Sequence, residues 1–480
     1  MERNNYMVAI DLGSHNVAVG VGTRDDDGKL ALVDVAVKPV DGVVRGEIRN
    51  IEQVAKAIRE ALDELETRLG IKITEAYTGI SGQHIRCARN SYYVFVGGDG
   101  EIREKEVQML RDNMRNVQAP DGQRILDFIP LNYVIDSDEE VADPVGMYGK
   151  KLEATFNFII GEASAISRLE KALGKVDVRL AGLHINPLVA AEAVVLPDEK
   201  ELGVAVLDMG AGTTDICIYH DRIPRHIGVV PLGSDMINKD IRSFGILERY
   251  IEELKVKYGS AVPENASADR LIKVPGRTPR EPKEISFFNL ATIISSRLRD
   301  ILDYAMEEIR RAGYEGRLGA GLVLTGGAAQ MKDIDKMVRD YTGMDVRIAS
   351  PDVQLAEESR AMGADTGFST LVGLLLKGMQ SGKPGMAAAG APRPIADPAS
   401  AFTGRTGVFP GAKAAPAPAP EAPRRQAAPE QPVTPPPAPK FEEDFADEGD
   451  EKPRKKKRNP ISKIFDSITK QFDVIDDNEI

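Results

Sequence analysis

The chain has 480 residues, 42% of them hydrophobic and 28% charged, with a net charge of −12. That length exceeds one small core, so two to four domain-sized units are expected. The acidic balance argues against nucleic acid as a partner, because phosphate binding needs clustered positive charge.

Two cysteines, Cys87 and Cys217, and five scattered histidines give no zinc or disulfide framework, which points to a reducing compartment. The opening residues Met1 to Tyr6 carry no basic run followed by an apolar stretch. Nowhere do about 18 apolar residues follow one another, so no membrane-spanning helix is expected and the chain is expected to stay in the cytoplasm.

Residues 7–10, 18–21 and 30–37 read as strands, with Asp25-Asp26-Asp27-Gly28 as a hairpin turn. Residues 51–69 read as a helix, because Ile51, Val54, Ile58, Leu62 and Leu65 recur at spacings of three and four. Alternation of this kind continues to about residue 380 and indicates an α/β fold.

One internal repeat stands out. The run Val8-Ala9-Ile10-Asp11-Leu12-Gly13-Ser14 leads into a strand, an acidic turn and another strand. The run Val204 to Met209, followed by Gly210-Ala211-Gly212-Thr213-Thr214, repeats that order, with a turn at His220-Asp221-Arg222. Two lobes facing each other across a cleft are expected. In each copy Asp-x-Gly ends a buried strand at a tight turn, where glycine lets backbone N–H groups approach phosphate oxygens. Ser14, Thr213 and Thr214 add hydroxyl donors, and Asp11 and Asp208 are placed to hold a hydrated Mg²⁺. A single Asp-x-Gly-Ser is also an ordinary β-turn; the second copy is what favours phosphate. A third element, Leu322-Val323-Leu324-Thr325-Gly326-Gly327-Ala328, is a buried strand running into a double glycine, with a helix expected over 331–341. Bare backbone and a helix N-terminus there would suit an adenosine.

These three motifs resemble the two phosphate motifs and the adenosine motif of the actin/Hsp70/sugar-kinase superfamily. The resemblance implies ATP with Mg²⁺ as ligand, bound by Asp11, Gly13, Ser14, His15 and Asn16, by Asp208, Gly210, Ala211, Gly212, Thr213 and Thr214, and by Gly326, Gly327 and Ala328. Glu252 and Lys255, in Glu252-Glu253-Leu254-Lys255, match the positions that face the ribose and base; the competing description is an exposed charged helix. Asn16 stands where many relatives have lysine. Asn186 stands where bacterial actins often carry a water-orienting glutamate; an amide positions water but is no base, so slow hydrolysis is expected.

Asp143-Pro144-Val145-Gly146-Met147-Tyr148-Gly149, with Leu152-Glu153 after it, and Gly79-Ile80-Ser81-Gly82-Gln83-His84 are similar to the FtsA family of bacterial cell-division proteins. The resemblance spans roughly residues 7–378. It implies an actin-like fold in which residues 1–83 and 166–203 make subdomain 1A, 84–165 a 1C insertion in place of actin's 1B, and 204–380 subdomains 2A and 2B with the return to 1A. It further implies a scaffold that polymerises with itself and binds the C-terminal peptide of FtsZ through 2B, with Arg297 at that contact. Other division proteins are expected on 1C. The rival readings are a soluble small-molecule kinase, an Hsp70-like chaperone, and a rod-shape or pilus-assembly actin homologue.

More than half of the 30 prolines fall within 381–460, so residues 381–458 are expected to form a disordered tether. Within 459–480, Ile461, Ile464, Phe465, Ile468 and Phe472 share one helical face. Lys463 and Lys470 flank that face, and Arg454-Lys455-Lys456-Lys457-Arg458 precedes it. The combination reads as an in-plane amphipathic anchor on an anionic surface, which the family resemblance implies to be the cytoplasmic face of the inner membrane at the septum.

Overall fold

The computed structural model describes residues 6–276, 282–381 and 387–389. Two five-stranded sheets share one topology. In the first lobe the order is Arg179–Ile185, Glu75–Ile80, Met7–Leu12, Asn16–Arg24, Leu30–Pro39. The first two junctions are parallel and the last two antiparallel. The second lobe reads in the reverse direction: Ile223–Val230, Thr214–His220, Val204–Met209, Leu322–Thr325, Val346–Ile348. Its junctions follow the same rule, and in both lobes the outer hairpin carries a register shift, at Val21/Gly22 and at Ile218/Tyr219. The repeat seen in sequence is therefore a repeat of sheet topology.

Local chemistry accounts for the elements. The helix Ile51–Leu69 begins where Asn50 accepts from the N–H groups of Glu52 and Gln53, which satisfies two of the donors that an isolated helix start leaves open. Its apolar face, Val54, Ile58, Leu62 and Leu65, is fully buried against the first sheet. The insertion is a four-stranded antiparallel sheet, ordered Glu139–Val141, Gln123–Ile135, Lys151–Glu162, Arg86–Phe95. The helix Glu104–Arg115 packs on it over Leu110, Leu152, Phe156 and Phe158.

Between the lobes the helices Asn186–Val194 and Ser369–Gln380 cross. The first is buried at Pro187, Leu188, Val189, Ala190, Ala191, Ala193 and Val194, as a helix enclosed by protein on every side must be. One core joins both sheets through it, with Ala9 and Leu30 from one lobe and Val206 and Val323 from the other around Val189, Leu371 and Leu375.

Two expectations shift. The helix expected over 331–341 is Ile334–Thr342, and the double glycine opens a single 3-10 turn, Gly327–Gln330, instead of an α-helical N-terminus. The turn is closed by Ala329 N–H donating to Gly326 O and Met331 N–H to Ala328 O. Inside the stretch expected to be tether, Ala387–Ala389 forms a strand antiparallel to Ile71–Ile73, whose backbone offers an edge to pair with. The other residues expected in the tether and anchor, from 382 onward, lie outside the described residues.

Gly373 sits at the helix crossing, where an added methyl would press into the Val189 carbonyl oxygen. Gly373→Ala should lower stability by about 1–3 kcal/mol, since backbone cannot step aside as a side chain can. Gly174→Ala, at a helix end with nothing within 4 Å, should stay within about 0.5 kcal/mol of the parent. Urea denaturation midpoints of the two variants check both.

Candidate binding cleft between the lobes

The two sheets present their repeated turns to one cavity of about 480 Å³. The turns close alike: Gly13 N–H donates to Asn16 O at 3.0 Å, and Gly210 N–H to Thr213 O at 2.9 Å. Among the described residues, no backbone hydrogen bond engages the N–H groups of Ser14, His15, Ala211 or Gly212, all four of which line the cavity. The turns also touch, because a side chain on Gly212 would strike Ser14 Oγ. Across the mouth, His15 Nε2 lies 2.6 Å from Asp235 Oδ1, and this acidic neighbour raises the His15 pKa against the opposing effect of burial.

The lining contains Asp11, Gly13, Ser14, His15, Asn16, Asp208, Gly210, Ala211, Gly212, Thr213, Glu252, Lys255, Gly326, Gly327, Ala328 and Asn186. Elements far apart in sequence thus converge on one site. Thr214 is the exception. As the first residue of its strand it is 1% exposed, and its hydroxyl donates to Leu232 O at 3.0 Å, so it is committed to the fold. Arg297 also lies elsewhere, on the helix Phe287–Arg311, where Asp240 pairs with it bidentately at 2.6 and 2.9 Å. The anchor residues Ile461, Lys463, Ile464, Phe465, Ile468, Lys470 and Phe472 fall outside the described residues. Lys255 departs from an exposed charged helix: its side chain is 5% exposed, reaches into the cleft, and pairs with Glu252 at 2.8 Å.

The sequence reading passed over Asp215, the acid that ends the run from Asp208. Together with Asp11 and Asp208 it makes a trio of carboxylates on the cleft floor. Burial, then the charges of Asp208 and Asp215, pushes Asp11 up to about 7. Burial and the charge of Asp208 do the same to Asp215, at about 7; burial raises Asp208 to about 6 against a hydrogen bond from Thr370 Oγ1 at 3.1 Å. Gly326, at φ +86°, brings bare backbone against the Asp208 carboxylate, where any side chain would collide.

Such a trio calls for positive charge from outside the chain. Asp215 Oδ1 and Asn186 Oδ1 are buried without a hydrogen-bond partner. No three His, Cys, Asp or Glu among the described residues stand close enough to chelate a metal directly. The donor set fits a small hard cation that keeps much of its water and is held by one or two carboxylates.

A family model described as "Cell division protein FtsA" matches residues 205–373, and another, "SHS2 domain inserted in FTSA", matches 82–160. Cell division protein FtsA of Pseudomonas aeruginosa is 33% identical over 387 residues, covering 80% of this chain and 92% of that protein. FtsA of Bacillus subtilis is 31% identical over 354 residues, 73% and 80% of the two chains. Among solved structures, the PilM–PilN type IV pilus biogenesis complex aligns with a TM-score of 0.52 at 18% identity, covering 78% of this chain and 98% of that one, a likeness of fold alone. The chain belongs to the FtsA family: it is an actin-like cell-division protein whose insertion is the SHS2 domain of that family. Among the described residues no helix is long and apolar enough to cross a membrane.

The carboxylates set a pH dependence. An unfolded Asp215 releases its proton near pH 4, whereas the folded one keeps it to about pH 7. Stability without ligand should therefore fall as pH rises from about 4 to 7 and level off beyond. Asp215→Asn should remove part of that slope and be the more stable protein at pH 8, by on the order of 2 kcal/mol. Urea melts of both proteins between pH 4 and 8 decide it.

Proposed function

We propose that this FtsA-family chain binds ATP with Mg²⁺ in the interlobe cleft, assembles with itself, and tethers FtsZ filaments to the cytoplasmic membrane at the division site. The observation that carries the nucleotide reading is the pair of matched turns around one cavity, each with a half-buried aspartate behind it. Backbone N–H groups of Ser14, His15, Ala211 and Gly212, with the Ser14 and Thr213 hydroxyls, receive the phosphates. Asp11 and Asp208, with Asp215 beside them, hold the hydrated cation, which would neutralise phosphate charge and relieve the trio's own repulsion. Glu252 and Lys255 face the ribose and base side, and Gly326, Gly327 and Ala328 give the adenosine a wall of bare backbone.

Asn186 heads its helix with an amide oxygen that has no protein partner and lines the cleft. It orients water without taking its proton, so nucleotide serves chiefly as a structural ligand and turnover is slow. Arg297 enters the FtsZ contact only by giving up or sharing Asp240. The SHS2 insertion offers the surface for other division proteins. At the membrane, residues 459–480 lay the apolar face of Ile461, Ile464, Phe465, Ile468 and Phe472 into the lipid, with Lys463 and Lys470 at the headgroups. One such helix binds weakly; a filament presenting many binds firmly through avidity.

Gly327 lines the cleft, and a side chain there would meet nothing within 4 Å. Gly327→Val should leave thermal stability without ligand unchanged and weaken Mg–ATP binding at least about tenfold, as a group filling a ligand's place does. Fluorescence anisotropy of a labelled ATP measures it. Equal affinity in parent and variant would remove the adenosine from this wall, and rapid ATP turnover by the parent would overturn the role of Asn186.

The 480-residue chain with Mg–ATP should sediment with anionic liposomes, and a chain ending at residue 458 should not. If both remain in the supernatant, the anchor is lost from the proposal while the cleft reading stands.

A further inference from the structure

Between the strand Leu30–Pro39 and the helix Ile51–Leu69 the chain forms a small hairpin, Val43–Val44 against Glu47–Ile48. Its base is anchored: Val43 and Ile48 are buried in the core of the first lobe. Glu47 is 8% exposed, with Arg49 and Arg168 at 3.1 and 3.7 Å from its carboxylate. The two-residue loop is Arg45-Gly46, at φ +52° and +77°. Positive φ at both places is the signature of a type I′ turn, whose first position favours Asn, Asp or Gly. Arginine there meets the clash between Cβ and backbone that keeps most residues out of this region. Strained positions of this kind gather at ligand sites.

The loop meets both repeated turns at once. Gly46 N–H donates to Ser14 Oγ at 3.5 Å, and Gly46 lines the cavity. A methyl on Gly46 would come within 3.1 Å of the Ser81 carbonyl and of Gly82 N, so only glycine lets the loop approach this closely. A methyl on Gly212 would come within 3.1 Å of the Arg45 backbone nitrogen. The hairpin thus touches the first turn at Ser14 and the second at Gly212. The double-glycine wall meets the run from Asp208 at its other end, where Gly326 abuts Asp208 and Met209. A nucleotide stretched from that wall across the turns would bring its last phosphate nearest the hairpin.

Charge sets Arg45 apart from the cations around it. His15 has Asp235 at 2.6 Å and Lys255 has Glu252 at 2.8 Å, so each is already matched by a carboxylate. Arg49 and Arg168 face Glu47. Arg45 is exposed, and among the described residues its guanidinium has no ion pair and no hydrogen bond. Position 16, on the first turn itself, is asparagine and brings no charge.

We propose that Arg45 binds the terminal phosphate and is the residue by which the cleft prefers a nucleoside triphosphate to a diphosphate. The inference rests on the nucleotide reading of the cleft. A guanidinium offers two parallel N–H donors to one phosphate, which a lysine ammonium does not. No protein acceptor has to be given up when Arg45 takes the ligand, whereas His15 or Lys255 would leave a carboxylate behind. The strained turn fixes where the side chain starts, beside both turns, before any ligand arrives.

Calorimetric titration of the intact chain with Mg–ATP and with Mg–ADP tests this, with Arg45→Asn and Arg45→Lys beside the parent. Asparagine suits the turn, so the thermal melt of Arg45→Asn without ligand should match or exceed that of the parent. Arg45→Asn should weaken Mg–ATP by about tenfold or more and Mg–ADP by less than about threefold, the difference that one charge-assisted phosphate contact makes. Arg45→Lys, which restores the charge without the fork, should recover part of the ATP loss. Equal ATP affinity in parent and Arg45→Asn would overturn the proposal and leave the cleft reading intact, as would an equal loss for both nucleotides. A parent that binds neither nucleotide removes the cleft reading itself, and this inference with it.

Discussion

Three carboxylates, Asp215 buried and Asp11 and Asp208 half-buried, line one cavity and are the constraint from which the cleft takes its form. Asp11 lies next to last in the central strand of one sheet, Asp208 next to last in the central strand of the other, and Asp215 second in the return strand beside it. A fold gains nothing by burying like charges together, and the raised pKa values express that opposition. Holding them there requires rigid neighbours. The doubly buried central strands, the glycine at 326 pressed on the Asp208 carboxylate, and the crossing helices that fix one sheet against the other supply that rigidity. A cation bound among these carboxylates would relieve that opposition.

Much of this architecture was legible in the sequence because periodicity and duplication survive without contacts. The helix Ile51–Leu69 follows from the spacing of five apolar residues and the capping Asn50. The repeated Asp-x-Gly runs foretold matched turns, and the structure shows the same 3.0 and 2.9 Å closures in both. What escaped depends on which way a residue points. Thr214 and Thr213 are equivalent donors on paper, but the strand begins at Thr214, and the alternation of the pleat sends its hydroxyl to Leu232. Asp215 was visible as the last letter of the run; its membership in the trio came from Asp11, more than 200 residues earlier. For Lys255 the charge pattern alone describes an exposed helix, and only the family resemblance pointed it at the cleft, whose wall it lines.

The insertion shows the same limit from the other side. Its signature segment, Asp143 to Glu153, identified the family, yet it said nothing of how the insertion meets the rest of the protein. The junction joins Cys87 to Ile227 across 140 positions and His226 to Glu308 across 82. Polar groups with modest individual value are brought together there, and a buried network of this kind specifies one docking where apolar contacts alone would tolerate several. Each of its members is ordinary in isolation: a half-buried thiol, a histidine on a strand, a glutamate on a helix. Their pairing arises from register, because a shift of one residue in the strand Ile223–Val230 would turn His226 to the opposite face and leave Glu308 without it. The register shift at Ile218/Tyr219 sits within that hairpin, opposite Pro224 and His226, and so sets which face His226 occupies. The irregularity repeated in both lobes is therefore more than a relic of duplication; in the second lobe Arg225 stands at it and reaches Leu131 O of the insertion.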